Sequence, residues 1–132
     1  MKQVLRNKDD GTRVERYKKS FLHAIDGIVY ATKYEHNMII IVICMILAII
    51  AGYVFQISTT EWLFMVLVIG LVIGSEMINT AIEAVVDLKT LEYNELAKIA
   101  KDTASSATLV FSITAFVGAL ILFVPKLIIM FM

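Results

Sequence analysis

Two glutamates and an asparagine stand inside an apolar run long enough to cross a bilayer: Glu76-Met-Ile-Asn79-Thr-Ala-Ile-Glu83-Ala-Val-Val-Asp87 continues the stretch that opens at Trp62. In hydrocarbon no water satisfies the backbone, so such a run folds as a helix. At about 100° per residue, positions 76, 79, 83 and 87 fall within an arc of roughly 80° and line one stripe. With a rise of about 1.5 Å per residue the stripe extends roughly 16 Å, from hydrocarbon depth at Glu76 to the membrane surface at Asp87. A carboxylate at mid-span costs about 2.5–3.5 kcal/mol on insertion scales. Groups that expensive mark a functional polar site by default.

Two further apolar runs, 38–57 and 104–132, are each long enough to span about 30 Å of hydrocarbon. Of 132 residues, 59% are hydrophobic, above the share in an ordinary soluble domain. One Pro, at position 125, and no alternating pattern argue against a barrel. The expectation is an all-α integral membrane protein, one domain over 1–132, with spans 38–57, 62–86 and 104–132. No small-residue cleavage site follows the first run, so it is expected to be retained rather than removed as a signal peptide. Cys44, among Ile and Met, reads as a packing residue.

Lys and Arg cluster before the first span, at 2, 6, 8, 13, 16, 18, 19 and 33, and again at Lys89, Lys98 and Lys101 after the second, while Ser58-Thr-Thr-Glu61 has none. The N-terminus and residues 88–103 are therefore expected on the cytoplasmic side, with the wet end of the stripe beside them. Trp62 reads as an interfacial anchor at the other side. Residues 1–12, with Asp9-Asp10-Gly11, are expected to be flexible. From 13 to 34, Val14, Tyr17, Phe21, Ile25, Ile28 and Thr32 recur at steps of three and four, predicting an amphipathic helix on the membrane surface. Gly27 weakens it by about 1 kcal/mol relative to Ala.

Gly70-x-x-x-Gly74 reads as a close helix-packing motif, as does the small surface of Ala97, Ala100, Ala104 and Ala107. There is no phosphate-binding Gly-rich loop and no Cys/His cluster with zinc spacing. The usual soluble nucleotide folds are excluded, and nucleic acid is not an expected partner. The acids at 76, 83 and 87, with Glu35 and the Lys101-Asp102 pair, suit a hard divalent cation such as Mg²⁺ and a phosphate group. Residue types alone leave an enzyme and a structural alternative equally open, the latter being an interhelical network or an ion path in a small channel or scaffold. His23 and His36 read as plain polar residues.

The run Glu76-x-x-Asn79-x-Ala81-Ile82-Glu83-Ala84-x-Val86-Asp87, then Glu92-Tyr93 and Ala100-Lys101-Asp102-x-x-Ser105-x-Ala107, resembles the signature of the small bacterial membrane lipid kinases. These are the prokaryotic diacylglycerol kinases and the related undecaprenol kinases. The likeness covers about 16–126. Glu35-x-Asn37 and Phe123-Val-Pro125-Lys126 look more like the Gram-positive branch, the undecaprenol kinases.

The resemblance implies a homotrimer of a surface helix and three spanning helices in the bacterial cytoplasmic membrane. It implies ATP- and Mg²⁺-dependent phosphorylation of a membrane lipid alcohol at the cytoplasmic face, undecaprenol ahead of diacylglycerol. Carried over by residue, it makes Glu76 the general base with Asn79 beside it, and Glu35 and Glu83 the metal-binding acids. Arg16, Glu35, Glu83, Asp87, Glu92, Tyr93, Asn94, Lys101 and Asp102 fall at nucleotide positions, Asn94 standing where some relatives have His. Ser20, Phe21, Ala24, Ile28, Ala31, Asn37, Glu76 and Ser105 fall at lipid positions. Three spans of one chain are not expected to shield Glu76, Asn79, Glu83 and Glu35 from lipid by themselves, which also favours an oligomer with shared sites.

Overall fold

A computed structural model describes residues 12–132. They form four helices in succession, α1 Arg13–Tyr34, α2 His36–Val54, α3 Thr59–Lys89 and α4 Glu95–Phe131. The last three are long and apolar enough to cross a membrane, and the chain is an all-helical membrane protein. Residues 1–11 of the segment expected to be flexible lie outside the described residues. Thr12 corrects that expectation at its edge, because it caps α1: its N–H donates to Glu15 Oε2 at 2.7 Å and its Oγ1 accepts from the Glu15 N–H at 3.4 Å. This reciprocal pair satisfies two of the donors that a helix start leaves open.

Gly27 does not interrupt α1. The break comes at Glu35, a single residue in extended conformation (φ −97°, ψ 116°) whose N–H still reaches the Ala31 carbonyl at 2.9 Å. In α1 Ala31 alone is buried.

Span one ends earlier than its apolar window. The Ile57 N–H bonds the Gly52 carbonyl and the Gln56 N–H the Tyr53 carbonyl, with Gln56 at φ 48°, a Schellman ending that turns the chain after Val54. Ile57 is then buried as extended chain, so 55–57 are not part of the spanning helix. Ser58 and Glu61 form a second capping box that starts α3 three residues before the window did. Asn94 Oδ1 accepts from the Ala97 N–H at 3.1 Å and starts α4 well ahead of position 104. Hydropathy marks the part of a helix that meets lipid, whereas caps mark where it begins.

α3 and α4 run antiparallel and make the main packing contact. At the end away from the stripe, three contacts tie the bundle: Tyr53 against Trp62, ring centroids 5.0 Å apart, Phe55 against Phe123 at 5.9 Å, and Glu61 paired with Lys126 at 3.0 Å. Gly52 is required there, since a Cβ would lie 2.8–2.9 Å from the Trp62 ring. The close approach expected at Gly70 and Gly74 is not found within the chain, where an added Cβ meets nothing within 4 Å at either position. Cys44 is exposed rather than packed, because α2 touches protein on one side and its other faces are open to lipid. Between α2, α3 and α4 an apolar cavity of about 430 Å³, lined by Cys44, Phe64, Val68, Val72, Phe116 and Leu122, reaches from Val72 to Glu61.

Candidate functional site

The antiparallel register of α3 and α4 turns the stripe into a ladder. Thr108 stands opposite Glu76, Ser105 opposite Asn79, and Lys101 opposite Glu83 and Asp87. Each α4 member is three or four residues from the next, so all share one helix face.

Glu76 forms the floor. It is 1% exposed, and neither carboxylate oxygen has a hydrogen-bond partner; Thr108 Oγ1, also buried, has none either. Thr108 and Asn37 both approach the carboxylate, the latter from the start of α2, but without well-formed hydrogen-bond geometry. The negative charges of Glu35 and Glu83 act on it from the α1–α2 junction and from α3. Buried polar groups without partners cost about 1–3 kcal/mol each, and charged ones more. A fold that keeps three such atoms together retains them for something other than stability.

The shielding argument for an oligomer needs correction here. Glu76 and Asn79, at 1% and 4% exposed, are covered by their own chain, because α4 and the α1–α2 junction close over the stripe at that depth. Glu35 and Glu83 remain half-buried.

Asn79 is the middle rung. Its Nδ2 donates to Glu83 Oε1 at 2.9 Å and its Oδ1 accepts from the Ser105 hydroxyl at 3.3 Å. The amide thus fixes one oxygen of Glu83 and leaves Oε2 free to take a cation. At the top Lys101 Nζ meets Asp87 Oδ1 at 2.6 Å, with the Glu83 charge also acting on it. Lys101 and Asp102, adjacent in sequence, point to different sides of α4. Neighbours in a helix point about 100° apart, and Asp102 instead pairs with Lys98 at 2.9 Å on the exposed side.

Other expected site residues are not gathered by the single chain. Arg16, Glu92, Tyr93 and Asn94 are exposed, and Asn94 Oδ1 is engaged in capping α4. Arg16 lies fifteen residues before Ala31, about 22 Å along α1 from the buried residue of that helix. Ser20, Phe21, Ala24 and Ile28 are exposed, but Ala31 is 2% exposed. Its methyl is used for packing and is not open to a ligand. Thr108 was missed in the sequence. The available signal was its place three residues after Ser105 and seven after Lys101, one face of α4.

Among the described residues no three His, Cys, Asp or Glu side chains gather to hold a metal by themselves. The free Glu83 oxygen with the half-buried Glu35 instead fits a hard cation that brings most of its ligands with it. Mg²⁺ commonly binds through one or two carboxylates plus phosphate oxygens.

The sequence model for prokaryotic diacylglycerol kinase matches residues 22–123. The chain is 37% identical over 121 residues to the undecaprenol kinase of Bacillus subtilis, covering 92% of this chain and 98% of that protein. It is 37% identical over 110 residues to a diacylglycerol kinase of Synechocystis, covering 82% of this chain but 63% of that longer protein. A Helicobacter pylori diacylglycerol kinase is 34% identical over 96 residues, 73% of this chain and 75% of the relative.

Proposed function

The chain belongs to the prokaryotic diacylglycerol kinase family, and from that premise we propose that it transfers the γ-phosphoryl group of ATP to undecaprenol, at the cytoplasmic face of a bacterial cytoplasmic membrane. The observation that carries the reading is the unpartnered carboxylate of Glu76, buried at the floor of a ladder whose upper rung holds Lys101.

In this reaction the lipid hydroxyl lies against Glu76 and gives its proton to the carboxylate as its oxygen bonds the γ-phosphorus. The bond from that phosphorus to the bridging oxygen breaks, and ADP leaves. Lys101 neutralises phosphate charge, and Asn79 holds Glu83 in place. Glu35 and Glu83 are the residues that would hold Mg²⁺ together with the phosphates, and the ion would supply further charge neutralisation. Positioning and electrostatics make up most of what a protein contributes to phosphoryl transfer. Arg16, Asp87, Glu92, Tyr93, Asn94 and Asp102 are assigned to the nucleotide. α1 lies along the membrane surface with Ser20, Phe21, Ala24 and Ile28 toward the acceptor, near Asn37 and Ser105.

Two observations favour the polyprenol. The undecaprenol kinase relative matches nearly end to end, and the apolar cavity begins at Val72, about one turn from Glu76, where a single polyisoprenoid tail can lie below one hydroxyl. In a competition between undecaprenol and diacylglycerol in one bilayer, kcat/KM is expected to favour undecaprenol. Preference for diacylglycerol would overturn the acceptor and leave the phosphoryl-transfer site as proposed.

The active form is a homotrimer. What favours assembly is the exposure of nucleotide residues in one chain: Arg16 stands about 22 Å along α1 from the buried Ala31, and the α1 of another copy can bring it to Lys101. Native mass spectrometry of the detergent-extracted protein should give three chains. An active monomer would refute the shared site.

A further inference from the structure

We propose that Thr108 is a positioning residue for the base: its hydroxyl donates a hydrogen bond to one oxygen of Glu76 and leaves the other oxygen for the acceptor hydroxyl. This rests on the reading of Glu76 as the base, and adds a residue from the facing helix to it.

Three observations support it. Thr108 is 8% exposed, and its Oγ1 lies buried against Glu76 without a partner. A hydroxyl in a helix has an easy local outlet, the carbonyl one turn back. Thr32, Thr80, Ser106 and Thr114 all take it, donating to Ile28, Glu76, Asp102 and Val110 at 2.7–3.0 Å. Thr108 does not. Its hydroxyl is therefore available to the carboxylate across the hairpin, and only a rotation about χ1 or of the O–H is needed to complete the bond.

The groups around Glu76 leave few other donors. Glu35 and Glu83, the charged groups acting on it, can only accept when ionised. The Thr80 hydroxyl is spent on the backbone. Asn37 is the one other side chain that approaches, from the start of α2, and it is itself assigned to the acceptor. Thr108 is anchored within α4, so it can hold the carboxylate throughout the reaction while Asn37 adjusts to the lipid.

Hydrogen bonds to an ionised group are short and strong, and small misplacement of a reacting group reduces rates by as much as about 10²-fold. The test uses the full chain with ATP and undecaprenol. Thr108→Val keeps the shape and removes the hydroxyl; Thr108→Ser keeps the hydroxyl and removes the methyl. Valine is expected to lower kcat about 10-fold or more with the KM for ATP essentially unchanged, and serine to recover most of the rate.

A wild-type kcat for valine, an effect confined to the KM for ATP, or serine as impaired as valine would each overturn the role of Thr108. Glu76→Gln assayed alongside separates the two readings. Full turnover by Glu76→Gln removes the base and this inference with it, whereas full turnover by Thr108→Val beside an inactive Glu76→Gln removes only the inference.

Discussion

Changing Glu76 to Gln is expected to lower lipid phosphorylation by about 10²–10⁴-fold, the usual contribution of a positioned general base, and to leave the protein at least as stable as before. The two effects have different origins. Glutamine has the shape of glutamate but does not take up the hydroxyl proton, so the chemical step fails. The carboxylate it replaces is 1% exposed with neither oxygen partnered, and exchanging such a group for a neutral one relieves a desolvation penalty. Steady-state phosphorylation and thermal unfolding measured together check this. Falling activity with rising or equal stability identifies a catalytic group; loss of both would mean that Glu76 is a structural member of the bundle.

Lys101→Met should be the next most damaging change, lowering kcat/KM for ATP by about 10²–10³-fold, as when one donor to a developing anion is removed. In the ladder Lys101 is the cation placed against Glu83 and Asp87. Without it phosphate would enter a field made by carboxylates alone. Asp87→Asn is expected to have a far smaller effect, because Lys101 is retained and exchanges its Asp87 partner for phosphate. Saturation kinetics with ATP distinguish the two. Equal losses in both variants would show that the 2.6 Å pair acts as a strut and not as a phosphate site.

Much of the architecture is legible in the chain because lipid leaves so few options. An apolar run of sufficient length has to be helical, so the angular positions of Glu76, Asn79, Glu83 and Asp87 follow from their numbers alone. The partners of those residues do not. Which α4 residue faces Glu76 depends on the register of two helices, and register is set by contacts such as Asn79 with Ser105 that no periodicity announces. Thr108 is one threonine among several on α4, distinguished only once its neighbour across the hairpin is known. The end of α2 was hidden because its left-handed residue is Gln56 in place of the customary Gly. Within the chain the tight glycine is Gly52 beneath Trp62, not Gly70 or Gly74. Shielding was misjudged because chain 31–38 folds back beside Glu76, something three straight spans would not do.

The ion pairs at the two ends of the α3–α4 hairpin place the acid on α3 and the base on α4 in both cases, Glu61 with Lys126 and Asp87 with Lys101. A slip of one turn, about 5.4 Å, would separate both pairs at once, so the helices form a ruler of fixed graduation. When bilayer thickness changes, such a ruler responds by tilting or by deforming the surrounding lipid, not by sliding. The interval from the Glu76 carboxylate to the Lys101 amine is then the same in a thick membrane as in a thin one. For the proposed reaction, what varies is how far an acceptor must rise or sink to bring its hydroxyl to that mark.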